Sequence, residues 1–103
     1  MNDVRFPSIS AIEFLLLDLL GQRERYGLQL VDASAGKVKL GTVYVTLARM
    51  EAKGFVESRQ EERQAGATGM PRRLYRATDY GLKVYEAYGL LREALALKPV
   101  EAQ

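Results

Sequence analysis

Cysteine and histidine are both absent from the 103 residues. Without them the chain has no disulfide, no thiol nucleophile, no imidazole base and none of the usual transition-metal ligand sets. Long apolar runs are missing too. The stretch from Leu15 to Leu20 is interrupted by Asp18 and falls far short of the roughly 20 residues a bilayer requires. The N-terminus lacks a basic region followed by an apolar core and a small-residue cleavage site, so a cytoplasmic protein with no membrane partner is expected. Neither an internal repeat nor a low-complexity segment occurs. Carboxylate pairs such as Glu61-Glu62 have no base, metal set or phosphate-cradling glycine pattern beside them. No enzyme activity, cofactor or metal centre is therefore expected.

What is present is an ordinary globular composition, 48% hydrophobic and 27% charged, in a chain the size of one domain with a modest core. A partner subunit would help a domain this small. The net charge of +2 conceals an uneven distribution. Residues 1–35 carry three Lys/Arg against five Asp/Glu, and residues 78–103 carry three against four. Residues 36–77 carry nine against four, so the basic excess lies in the middle of the chain. That is the footprint of a surface that meets a polyanion.

The middle of the chain is organised around Leu40 to Gly54, which reads as a short helix with two different faces. Val43, Leu47 and Met50 recur at i, i+4 and i+7 and form a core-like stripe. Thr42, Val45, Thr46, Arg49 and Lys53 fall on the opposite stripe, which has hydroxyls, a small apolar residue and two cations but no carboxylate. Hydroxyls and methyl groups read base edges, and cations hold phosphates. Gly54 stops the helix and Phe55-Val56 opens an extended segment.

On the N-terminal side, Ser10-Ala11-Ile12-Glu13 has capping-box spacing for a helix ending at Gly21. Its apolar residues cover nearly the whole circumference, so part of that surface, including Ile12 and Leu16, is expected to meet another subunit. After a polar connection, Tyr26-Gly27-Leu28 begins a second helix ending near Ala35-Gly36, with Leu28 and Val31 facing inward. Lys37-Val38-Lys39-Leu40 is then either a brief strand or an extended turn. On the C-terminal side, residues 55–60 and 73–77 bracket a glycine-containing polar loop and form a hairpin. A hairpin after a helix-turn-helix is a wing. Arg63, Arg72 and Arg73 lie on or beside its long loop. Thr78 caps a last helix that runs to about Leu97 before Pro99. Val84, Tyr88, Leu91 and Leu95 follow a 4-3-4 spacing along it, the seam of a coiled-coil contact or else part of the core. Leu82 and Tyr85 form a neighbouring stripe that packs on the domain.

These pieces resemble the PadR-like transcriptional regulators, dimeric winged-helix DNA-binding proteins of bacteria and archaea. The resemblance rests on Tyr26-Gly27-Leu28-Gln29-Leu30, on Gly41-Thr42-Val43-Tyr44 with Leu47, Arg49, Glu51 and Gly54, and on Pro71 to Thr78 followed by Gly81. Together they cover most of residues 10–97. Val45 stands where the family often has proline, and Ala48 and Met50 replace commoner residues. Some relatives bind flat aromatic compounds at the dimer interface, in certain cases between tryptophans, and this chain has no tryptophan.

The expected fold is mainly α with a small β-hairpin: a winged helix-turn-helix over residues 1–78, a dimerisation helix over 79–98 and a disordered tail over 99–103. The resemblance and the charge pattern imply a homodimeric regulator, a repressor by the family's usual behaviour, acting on a pseudo-palindromic operator in double-stranded DNA. The expected DNA-facing set is Tyr26, Lys37, Lys39, Thr42, Tyr44, Val45, Thr46, Arg49, Lys53, Arg63, Arg72 and Arg73. Several of these have a second role open to them: Thr42 as a helix cap, Tyr26 and Tyr44 as half-buried packing, Arg72 and Arg73 as strand-edge charges. The expected dimer interface is Ile12, Leu16, Val84, Tyr88, Leu91 and Leu95. The alternative function is a winged helix whose basic face binds an acidic protein instead of DNA.

Overall fold

The computed structural model describes residues 6–62, 65–66 and 68–96. Helix α1 (Ala11–Leu20) begins as the spacing predicts. Ser10 Oγ accepts from the Glu13 amide at 3.1 Å, and Glu13 Oε1 accepts from the Ser10 amide at 2.8 Å. The pair satisfies two donors that a helix start leaves orphaned. Strand β1 is only two residues long, Arg25–Tyr26, and leads directly into α2 (Gly27–Ala33). Tyr26 was expected to open that helix. It is extended instead, because β1 pairs antiparallel with a strand far along the chain, Arg25 opposite Tyr75 and Tyr26 opposite Leu74.

Within α2 Leu30 is fully buried and Val31 packs against the core as expected, while Leu28 is 50% exposed, contrary to the sequence expectation. The connection from α2 to α3 (Leu40–Lys53) is a turn and not a strand. Ser34 fixes it by donating to the Val31 carbonyl at 2.7 Å and accepting from the Val38 amide at 3.2 Å. Val38 is thereby drawn into the core. Helix α3 ends at Gly54, whose φ of +83° is open to glycine at little cost. Its amide reaches Glu51 O at 3.0 Å while the Phe55 amide reaches Met50 O at 2.8 Å, the paired bonds of a Schellman ending.

Strands β2 (Val56–Gln60) and β3 (Arg73–Ala77) pair antiparallel, from Val56 opposite Ala77 to Gln60 opposite Arg73. One further bond, Glu61 N to Arg72 O at 2.7 Å, carries the ladder past the strand ends. The sheet order is β1-β3-β2. Helix α4 (Asp79–Ala96) starts on Thr78, whose hydroxyl accepts from the Gly81 amide at 2.9 Å and donates to Gly54 O at 2.6 Å. Gly81 lies against the start of β2. A Cβ there would stand 2.0 Å from the Phe55 carbonyl oxygen, so only glycine permits this approach.

The core combines Leu16, Leu17 and Leu20 of α1, Leu30 of α2, Val43, Leu47 and Met50 of α3, and Phe55, Tyr75 and Val84. Each fully buried aliphatic side chain contributes about 1.5–3 kcal/mol. Two residues expected at a subunit interface are members of this core: Leu16 is 0% and Val84 5% exposed. Leu16 points into the body because α1 packs against α2, α3 and α4 together. Val84 lies in the first half of α4, which closes the body, so the body itself extends beyond Thr78. Residues 97–103, including the expected end of the last helix and the tail, lie outside the described residues.

Candidate nucleic-acid interface

The two-faced pattern of α3 holds on its buried side, where Val43, Leu47 and Met50 are inaccessible to solvent. The outer side is narrower than its period suggests. Thr42, Val45 and Arg49 are exposed, with Val45 at 61%. Thr46 is 3% exposed and so belongs with the buried side of the helix. Lys53 also leaves the set. Its ammonium lies 2.9 Å from Glu13 Oε1 and 3.1 Å from the Ser8 carbonyl, facing α1. Glu13 is fully buried and its Oε2 has no hydrogen-bond partner among the described residues. Lys53 is therefore the counter-ion that makes a buried carboxylate tolerable, and its role is structural.

Residues that the periodicity passed over complete the outer surface. Gly41, Ala48 and Ala52 are exposed, and side chains this small let the helix backbone come close to whatever it faces. The one carboxylate beyond the core stripe, Glu51, accepts from Ser58 Oγ at 2.8 Å and so engages the sheet. Tyr44 is 45% exposed and lies with its ring over Gly27, where a Cβ would come within 2.6 Å of it.

The cations of residues 36–77 divide into two groups. Arg59 holds Glu24 through two bonds of 2.8 and 2.7 Å, Arg76 lies 3.7 Å from Glu57, and Lys53 holds Glu13. The Arg59 guanidinium lowers the Glu24 pKa, as a donor to the ionised carboxylate must. Lys37, Lys39, Arg49, Arg72 and Arg73 make no ion pair among the described residues. These five stand before α3, on its outer face, and at the base of the hairpin. Arg73 is exposed opposite Gln60. The Arg72 guanidinium carbon sits 4.5 Å from the centre of the Tyr26 ring. Arg63 lies outside the described residues.

At the other end, Ile12, Leu90, Leu91 and Leu95 are 36%, 64%, 51% and 63% exposed. Tyr88 is partly buried and donates to the Pro7 carbonyl at 2.7 Å, so it fastens the segment before α1 to α4. An open groove of about 480 Å³ runs between these helices beside Phe14, Leu15, Tyr88 and Arg92. Phe14 stacks on Tyr85 at 4.8 Å and carries Arg92 at 4.5 Å. The Tyr85 hydroxyl donates to Asp18, which raises its pKa. Among the described residues no helix is long and apolar enough to cross a membrane.

Residues 16–87 match the model of the transcriptional regulator PadR-like family. Among solved structures, the chain is similar to a PadR family transcription regulator from hypervirulent Clostridium difficile R20291. They share 24% identity at a TM-score of 0.74, over 84% of this chain and 92% of that one. A PadR family transcriptional regulator from Eggerthella lenta shares 28% identity at a TM-score of 0.69, over 81% and 72%. Bacillus subtilis PadR, solved in complex with operator DNA, shares 20% identity at a TM-score of 0.65, over 76% of this chain and 46% of that one. Among curated proteins no match is found.

Proposed function

The chain belongs to the PadR-like family of transcriptional regulators, and from that premise we propose that it is a homodimeric repressor reading a pseudo-palindromic operator. The observation that carries the DNA-binding surface is the sorting of the cations. Three of those described between residues 36 and 77 are held by carboxylates, while Lys37, Lys39, Arg49, Arg72 and Arg73 are held by none among the described residues. In this reading α3 enters the major groove, with Thr42, Val45 and Arg49 toward base edges. Lys37 and Lys39 meet phosphates at its start, and Arg72 and Arg73 of the wing meet the backbone or the adjacent minor groove. Tyr44 braces the helix against α2. That Bacillus subtilis PadR, a protein of the same fold, was solved in complex with operator DNA supports the DNA-binding reading.

The dimer joins two copies through the outer side of α1 and the second half of α4. Ile12, Leu91 and Leu95 supply the contact, joined by Leu90, which the 4-3-4 spacing does not include. A two-fold contact counts each side chain twice and places both recognition helices on one side, so half-sites lie one DNA turn or a multiple apart.

The test is a titration of the chain with the duplex upstream of its own gene, across a range of salt. The logarithm of the binding constant should fall linearly with the logarithm of salt, by about 0.9 per phosphate neutralised. Analytical ultracentrifugation at micromolar concentration should show a dimer. Binding indifferent to salt, or tight binding to an acidic protein without affinity for any duplex, overturns the DNA reading. A monomer overturns the dimer.

A further inference from the structure

We propose that Tyr26 serves DNA binding through Arg72: its ring is a shelf that holds the guanidinium in place before DNA arrives, making Tyr26 a positioning residue and not a contact. This rests on the DNA-binding reading above. The geometry begins with β1, whose two residues pair with β3 so that Tyr26 stands opposite Leu74. Arg72 lies two residues before Leu74, so their side chains share a face, and the diagonal neighbour across an antiparallel pair is within reach of an aromatic and a long side chain. The ladder still holds Arg72 in extended register, because its carbonyl accepts from Glu61 N at 2.7 Å. The result is the guanidinium 4.5 Å from the ring centre.

The shelf is itself fixed to the recognition helix. The Tyr26 amide donates to Gln29 Oε1 at 3.0 Å, and the next residue, Gly27, lies under the Tyr44 ring of α3. Tyr26 thus joins the wing to α3 through one dipeptide. A guanidinium resting on a ring commits its face and leaves its N–H edges free, and among the described residues no carboxylate takes them. Those edges match phosphate oxygens in paired fashion. Holding the side chain beforehand spares the rotamer entropy that binding would otherwise cost. Arg73 is the internal contrast, exposed and with no ring beneath it among the described residues.

Lysine keeps the charge of Arg72 but loses the plane that stacks. With the full chain and a generic-sequence DNA duplex at low salt, Arg72→Lys should weaken binding about two- to fivefold, the range of an exposed cation–π contact. Arg73→Lys should lose less than Arg72→Lys, since it keeps the charge and gives up no ring contact. Tyr26→Leu should lose about as much as Arg72→Lys and flatten the salt slope although it removes no charge. The double variant should lose no more than either single one, since both changes break one contact. Tyr26→Phe should retain wild-type affinity. Thermal melts show whether Tyr26→Leu is folded; if it is not, Arg72→Lys and Tyr26→Phe still decide the matter. Wild-type affinity in Arg72→Lys, losses that multiply in the double variant, or a loss in Tyr26→Phe would overturn the shelf while leaving DNA binding intact. A wild type that binds no duplex overturns both.

Discussion

The α3 and wing end exposes Val45 at 61% and Tyr44 at 45%, and the far end exposes Leu91 at 51% and Leu95 at 63%. By apolar exposure alone the two surfaces are alike. They differ in what surrounds the apolar groups. Around Val45 stand small residues, a threonine and cations that make no ion pair among the described residues. Around Leu91 stand further leucines, with Arg92 resting on Phe14 and Asp18 bonded to Tyr85. Arg92 and Asp18 are thus engaged internally at one end, while Lys37, Lys39 and Arg49 make no ion pair among the described residues at the other. Exposed hydrophobicity marks a surface as unfinished, and the bonding of neighbouring charges indicates whether a polyanion or a second apolar face completes it.

The largest expected effect comes from giving the leucine end a charge. Leu91→Glu should convert the dimer into a monomer in analytical ultracentrifugation. Losing the second half-site should weaken operator binding by about 10²–10⁴-fold with every DNA-facing residue intact. A Leu91→Glu monomer that still binds the full operator tightly removes the distinction between the two ends.

Next in size is the ion pair that ties them together. Lys53→Met leaves the Glu13 carboxylate buried without its counter-ion, which should cost about 3 kcal/mol or more. The melting temperature should then fall by more than about 10 °C, and adding Glu13→Gln should restore part of it. An unchanged melting temperature would return Lys53 to the DNA-facing group.

Smaller effects resolve the α3 end itself. Arg73→Ala should weaken binding to all duplexes alike and reduce the salt slope by about 0.9 for a single phosphate contact. Val45→Ala should leave that slope unchanged and relax preference at one base position by about 1 kcal/mol, as read by selection from a random duplex pool. Thr46→Ala should alter neither. A change of preference in Thr46→Ala with none in Val45→Ala would place the reading face elsewhere on the helix.

The elements that sequence predicts well are those whose signals are local. Ser10 with Glu13, Gly54 after α3, and Thr78 before α4 each bond within a few residues, and the structure forms all three ends as expected. Strand β1 escaped because two residues have no period, and their partners lie about fifty positions away. Thr46 shows where helical periodicity runs out. At about 100° per residue it lies only about 60° from the centre of the Val43, Leu47 and Met50 stripe, and neighbouring elements cover that margin. Lys53 lies on the other stripe, yet its stem is long enough to turn toward α1 and reach Glu13. The expected seam of α4 is divided for a different reason. Its spacing is continuous, but the helix passes from packing on its own body at Val84 to open exposure at Leu91. A regular spacing does not say which neighbour each turn meets.

Gly81 has a consequence for DNA that is geometric and not energetic. Helix α4 rests on the backbone of Phe55 with no side chain between them, since a Cβ would stand 2.0 Å from that carbonyl oxygen. Even one methyl group would push the helix away from the start of β2. In the proposed dimer α4 is the arm that joins the two DNA-reading units, so the offset would be carried to both ends of the pair. Gly81→Ala would then act as a change of gauge. A variant that still folds would favour an operator whose half-sites are separated differently, with each half-site sequence unchanged.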